Sequence, residues 1–327
     1  MPRNADPHLP VMPDARIKIV PASEPVRARV ASNELCTFGK KKSASFVRHF
    51  CVDLSGTPLA GSFLPGQAFG VVAPGLDDAG KPHAVRLYSS ASPSWGEDGA
   101  GNVISTSVKR LIDERAPQRP GDDPGDHRLF LGVCSNHMCD LREGDDVWVT
   151  GPAGKRFLLP VDVEAHDYVF MATGTGIAPF RAMALELLRR PQGAARSQIH
   201  LISGFPYTSD LIYHELFTQL AAEHPNFHYH TVISREGPGG RGIYLHKYME
   251  RELAQLRPVL ESRRTILYMC GLAGMDWGVY QVLVAAGLHK GYLNLSDHIA
   301  GVPPSAWGND VGKRDLRPTD RFLVEVY

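Results

Sequence analysis

The stretch "DYVFMATGTGIAPFRAMALELLRR", residues 167–190, decides the fold of the second half of the chain. An apolar run of strand length, "DYVFMA", breaks at Gly174 and Gly176 and resumes as the helix-patterned "APFRAMALELLRR". Glycines at such a junction let backbone N–H groups approach a phosphate, and the helix that follows points its positive end at it. They also suit an ordinary strand-to-helix turn, because Pro179 stands where the usual G-x-G-x-x-G pattern has its third glycine. The strand-then-helix alternation recurs: "SQIHLIS" before "SDLIYHELFTQLAAE", "FHYHTVI" before "YLHKYMERELAQL", and "TILYMC" before "MDWGVYQVLVAAG". A last alternating run, "RFLVEVY", residues 321–327, predicts a final strand. Apolar strands alternating with amphipathic helices indicate a parallel sheet covered on both faces, a doubly wound α/β domain.

Upstream of about residue 160 the pattern differs. Six short runs are separated by Gly and Pro: Phe46–Leu54, Gln67–Ala73, Val85–Ser89, Val103–Leu111, Leu129–Val133 and Asp146–Thr150. They predict an antiparallel six-stranded β-barrel. The expected organisation is a flexible arm over residues 1–30, the barrel over 31–160 and the α/β domain over 161–327, with a polar loop at 113–127.

Composition narrows the function. The 327 residues carry 35 Lys plus Arg against 35 Asp plus Glu, so bulk charge argues against a nucleic-acid binder. No window reaches the ~20 apolar residues of a membrane span, and the start has no apolar core like that of a signal peptide. Five cysteines without tight clusters point to reduced thiols in a cytosolic setting and leave no iron–sulfur spacing. No metal site is expected.

Several stretches carry chemistry. In "RLYSSAS", residues 86–92, Arg86 and Tyr88 share one strand face: a planar fork of donors beside a ring. In "GVCSNHMC", residues 132–139, Gly132 allows close backbone approach and Ser135 suits a pyrophosphate, whereas Cys134 and Cys139 read as structural thiols. "YMCGLAGMDWG", residues 268–278, ends a strand with Cys270, which suits ligand contact or a small residue in a turn. "VISREGPGGRGIY", residues 232–244, sets Ser234, Arg235 and Arg241 where they can clasp a phosphate or simply meet solvent. Lys40, Lys41, Lys42 and Arg48 form a basic run, which is a solvated loop or a docking patch for an acidic partner.

Taken in order, "PGQAFGVVAPG", "KPHAVRLYSSAS", "SVKRL", "GVCSNHMCDLREGDDVWVTGPAGKRFLLP", "ATGTGIAPFRAM", "VISRE", "YMCGLAGM" and the terminal "VEVY" resemble the plant-type ferredoxin–NADP reductase family, in its plastid- and cyanobacterium-like branch. The resemblance implies an FAD-binding barrel followed by an NADP-binding α/β domain. It implies that Arg86, Leu87, Tyr88, Ser89, Ser107, Lys109, Gly132, Val133, Cys134, Ser135 and Thr175 hold FAD, with Tyr327 on the flavin face as a movable lid. It assigns NADP(H) to Thr175, Gly176, Ser234, Arg235, Arg241, Tyr244, Cys270, Gly271, Leu272 and Met275. Ser89, Cys270, Glu325 and Tyr327 then surround the reacting atoms.

The implied activity exchanges hydride with NADP(H) and single electrons with an acidic carrier, ferredoxin or flavodoxin. A nicotinamide–flavin reductase serving an oxygenase through a separate carrier, and a low-turnover flavin redox sensor, are the competing readings. The chain departs from the family pattern at His137, at the displaced Arg241 and over its first ~60 residues. A monomer in a bacterial cytoplasm is expected, with a processed plastid protein as the alternative.

Overall fold

The computed structural model describes residues 8–38, 46–77, 79–114, 123, 125, 127–308 and 311–327. The lysine run at 40–42 and most of the polar loop at 113–127 lie outside the described residues.

Strands β1 (Val26–Leu35), β2 (Val47–Asp53), β3 (Ala68–Val72), β4 (Arg86–Ser89) and β5 (Val103–Lys109) belong to the first sheet. A separate two-stranded ribbon follows, β6 (Ile112–Glu114) with β7 (Leu129–Leu131), then helix α1 (Val133–Asp140) and strand β8 (Asp146–Ala153). The antiparallel order is β4-β3-β8-β1-β2-β5. The Ala91 N–H donates to the Ser105 carbonyl at 2.7 Å, and the Thr106 hydroxyl to the Ser89 carbonyl at 2.8 Å. These bonds draw the chain beyond β4 onto β5 and close the barrel. Phe69 and Val71 on β3 alternate inward with Val147 and Val149 on β8, all fully buried. Each such side chain contributes roughly 1.5–3 kcal/mol. α1 plugs the barrel with Cys134, Met138 and Cys139.

The count of six strands holds, but their membership changes. Leu129–Val133 is not a barrel strand: among the described residues Leu129–Leu131 pairs only with Ile112–Glu114, and its three side chains are exposed. The sixth strand is β1, which begins inside the segment expected to be a flexible arm. Ala15 and Val20 are already buried, and Val20 bridges to Gly151. "VRARVASNEL" hides its strand character because only Ala28 and Val30 reach the core, while its arginines face solvent.

The second half forms a parallel sheet of β9 (Asp167–Thr173), β10 (Ile199–Phe205), β11 (Phe227–Ile233), β12 (Thr265–Gly271) and β15 (Phe322–Val326), ordered β11-β10-β9-β12-β15. Helices α2 (Ala178–Leu188) and α3 (His214–Glu223) cover one face. Helices α4 (Leu245–Arg251), α5 (Leu253–Glu261) and α6 (Met275–Ala285) cover the other. A ribbon of β13 (Leu293–Leu295) and β14 (Leu316–Pro318) lies beside α6 and β15. β9 is buried on both faces from Tyr168 to Ala172, which explains its unbroken apolar run. Strand order reverses between β9 and β12, opening a crevice at their carboxyl ends, where open α/β sheets take ligands.

Candidate active site

The crevice is assembled at the turn that follows β9. Gly174 adopts φ +54°, and the turn Gly174–Ile177 carries the chain into α2. A Cβ on Gly176 would stand 2.2 Å from the Cys270 carbonyl oxygen, so only glycine lets this turn lie against the end of β12. A Cβ on Gly271, at φ +141°, would meet the Thr173 hydroxyl at 2.3 Å. The Thr173 hydroxyl accepts the Leu272 N–H at 2.9 Å and pins the two strand ends together.

The barrel supplies the facing wall. Arg86, Leu87, Tyr88 and Ser89 from β4, Ser107 and Lys109 from β5, and Gly132, Val133, Cys134 and Ser135 at the start of α1 all line one cleft of about 1390 Å³. That exceeds the ~300–1,000 Å³ of a typical small-molecule site, and leaves room for more than one ligand. The Ser107 hydroxyl donates to the Thr175 carbonyl across the domain boundary at 3.2 Å. α1 has no side-chain cap at its N-terminus, which leaves its first N–H groups facing the cleft. A Cβ on Gly132 would stand 2.8 Å from Leu111 Cβ and from Ser135 Oγ, so the backbone is open there only because it lacks one. These free donors, beside Arg86 and Lys109, fit a pyrophosphate, and the ring of Tyr88 fits an aromatic face.

β15 closes the floor. Glu325 pairs in register with Cys270 on β12, and the Tyr327 N–H donates to the Gly271 carbonyl at 2.9 Å. The Tyr327 phenol and Thr175 hydroxyl share a hydrogen bond of 2.8 Å. Tyr327 is 63% exposed, whereas Cys270 is fully buried. Burial raises the Glu325 carboxyl to about 7, and burial, then Glu325, pushes the Cys270 thiol far above its ordinary value.

Ser234, Arg235, Tyr244 and Leu272 extend the same wall. Five expected residues are not on it. Arg241 follows the glycine turn Pro238–Gly240 and points to solvent. Gly176, Cys270, Gly271 and Met275 sit behind the surface that Thr173, Thr175 and Tyr327 present. Thr173, Thr106, Asp77 and His83 line the cleft without having been singled out from the sequence. Thr173 was findable as the last residue of β9. Asp77 and His83 come from a hairpin whose placement no local pattern encodes.

A closed antiparallel barrel, a β11-β10-β9-β12-β15 parallel sheet and one cleft shared between them define a two-domain nucleotide-dependent oxidoreductase. Residues 170–280 match the family model described as Oxidoreductase NAD-binding domain. The chain is 34% identical to a ferredoxin–NADP reductase of Spirulina sp over 319 residues, covering 96% of this chain and 99% of that one. It is 35% identical to the chloroplastic leaf isozyme 1 of ferredoxin–NADP reductase from Oryza sativa subsp. indica over 267 residues, covering 80% and 67%. The fold matches the solved ferredoxin–NADP+ reductase of Plasmodium falciparum with a TM-score of 0.68 at 19% identity, over 93% of this chain and 97% of that one. A structure of that protein with 2′P-AMP matches at a TM-score of 0.67 and 18% identity, over 95% and 99%. The chain belongs to the ferredoxin–NADP reductase family, which uses FAD and NADP. Among the described residues no helix is long and apolar enough to cross a membrane, and no cluster of metal-ligating side chains is present.

Proposed function

We propose that the protein is an FAD-dependent ferredoxin–NADP(+) reductase, exchanging hydride with NADP(H) and single electrons with ferredoxin or flavodoxin. The observation that carries this reading is the convergence of Ser89 from the barrel, Thr175 from the β9 turn, and Glu325 and Tyr327 from β15 on one cleft. Bound FAD supplies the conversion between a two-electron hydride and single electrons.

The chain's own residues bind, orient and shield. Arg86, Lys109 and the open N–H groups of α1 hold the phosphates, with Tyr88 against the ring. Ser234 and Arg235, beside Tyr244, take the 2′-phosphate that separates NADPH from NADH. Tyr327 covers the reacting face. Its backbone is held on both sides, by the Gly271 carbonyl and by the Ala273 N–H, each at 2.9 Å. Among the described residues its side chain is held by one hydrogen bond, to Thr175, worth about 0.5–1.5 kcal/mol. An incoming nicotinamide therefore displaces the ring without unzipping the strand. Glu325 holds or releases a proton near neutral pH, and Ser89 offers a hydroxyl on the barrel side. The half-buried Arg48 on β2, whose neighbour Val47 pairs with Lys109, suits an acidic carrier.

The test is anaerobic mixing of the FAD-loaded protein with NADPH and, separately, NADH, followed by flavin absorbance. Fast bleaching by NADPH and slow bleaching by NADH is the expected result. Equal bleaching would leave Ser234 and Arg235 without a selective role and favour the oxygenase-reductase reading. A flavin that neither nucleotide reduces would overturn the reductase assignment and leave a flavin sensor.

A further inference from the structure

A buried polar cluster joins the two domains away from the cleft. Arg181 on α2 donates from Nη1 and Nη2 to the two carboxylate oxygens of Glu97, at 2.5 and 2.9 Å, and from Nη1 to the Ala91 carbonyl at 2.8 Å. Glu97 lies in the barrel segment between β4 and β5 and also accepts the Ser105 hydroxyl at 2.6 Å. The Arg181 guanidinium covers the Tyr213 ring at 5.2 Å, and the Tyr213 hydroxyl meets His49 Nδ1 of β2 at 2.8 Å. Tyr213 holds φ +58°, a left-handed conformation that non-glycine residues rarely adopt. Nearby, Glu186 of α2 accepts the Ser94 N–H at 2.8 Å and its hydroxyl at 3.0 Å.

Stability alone does not account for this arrangement. A buried ion pair gains little over apolar residues of the same volume, because desolvation offsets the attraction. Here the side chains of Arg181 and Glu97 are only 13% and 22% exposed, and Arg181 Nε is buried without a hydrogen-bond partner among the described residues. Strained backbone and incompletely satisfied polar atoms persist where surrounding structure holds them for a purpose.

The purpose follows from where the bonds land. Ala91 is two residues from Ser89, and Ser105 is two residues from Ser107, whose hydroxyl bonds the Thr175 carbonyl. Arg181 sits on the first helical turns beyond Gly174–Ile177, the turn that carries Thr175. The pair thus brackets the reacting cleft from both domains.

We propose that Arg181 and Glu97 are positioning residues for hydride transfer: they lock the barrel against α2 so that Ser89 and Thr175 hold flavin and nicotinamide in reacting register. The inference rests on the reductase reading and goes beyond it, since neither residue touches the cleft. Misalignment of about 1 Å can lower a transfer rate on the order of a hundredfold while leaving binding nearly unchanged.

The experiment compares the FAD-loaded wild type with Glu97→Gln, Arg181→Met and the double variant. At saturating NADPH, flavin reduction should slow at least tenfold in each single variant, while the Kd for NADP+ stays within threefold. The double variant should be no slower than the worse single one, because the two side chains act as a unit. Amide hydrogen exchange, measured without nucleotide, should rise over residues 89–97 and 174–181 and stay unchanged in the sheet cores. If a single variant does not fold, the double variant, which leaves no unpaired buried charge, carries the comparison. Reduction within twofold of wild type in the folded variants, or slowing matched by an equal loss of NADP+ affinity, would overturn the proposal. A wild type that binds FAD but is not reduced by NADPH would sink the functional reading and this inference with it, before any variant is compared.

Discussion

A single carboxyl group sets the pH behaviour of the site. Glu325 titrates near 7 when folded, above its ordinary 4.5, because burial disfavours its charge. The unfolded chain therefore loses this proton first, and the group's contribution to stability falls as pH rises from about 4.5 through 7. Glu325→Gln should be more stable than wild type at pH 8 and equal to it at pH 4, in thermal melts across that range. The same variant should flatten any inflection near pH 7 in the rate of flavin reduction by NADPH. At this scale the sequence was informative about Glu325 and Tyr327, since alternation in "RFLVEVY" put both on one face. It could not reveal that Cys270 lies behind them: burial depends on how β12 and β15 pair.

Elements reproduce their local patterns where burial is two-sided and drift where it is not. β12 contains "TILYMC" and is buried along its whole length, and α2 begins at Ala178 as its pattern indicates. The helix expected over 244–256 breaks at Glu252 into α4 and α5, and α1 was not anticipated, being a short helix of mixed polarity whose buried residues serve the barrel core. Two glycine-dependent junctions give sharp tests. Gly176→Ala must push a Cβ against the Cys270 carbonyl, and should destabilise by roughly 1–3 kcal/mol, the usual range for overpacking, as read by urea unfolding. Gly132→Val fills the opening before α1, and should weaken FAD retention at least tenfold in a flavin-fluorescence release assay while leaving NADP+ binding unchanged.

The assembled molecule has an acid weakness that no single element displays. His49 is held to about 4 by burial and by Arg181, against the pull of Glu97 3.9 Å away. His200, stacked on His228 and 3.3 Å from His230, is held to about 3 by burial and by those two rings. Both folded values lie below the ordinary 6.5, so the unfolded chain takes up protons first. The stability they support is complete above about pH 6.5 and is lost as pH falls toward 4 and 3. Melting temperature should therefore decline from pH 7 to pH 4, and Arg181→Met, by letting the folded His49 value rise toward 6.5, should shrink the His49 part of that decline and end it at a higher pH; a flat profile would refute both assignments. None of this was legible in the chain, because Arg181 and Glu97 are 84 positions apart and His49 meets Tyr213 only after the domains dock. The bridge across that seam also limits how such proteins recombine. If the proposal above holds, a chimera joining this barrel to the α/β half of a relative should reduce its flavin slowly unless the residues at 97 and 181 match. The two sides of that seam are then inherited as a pair.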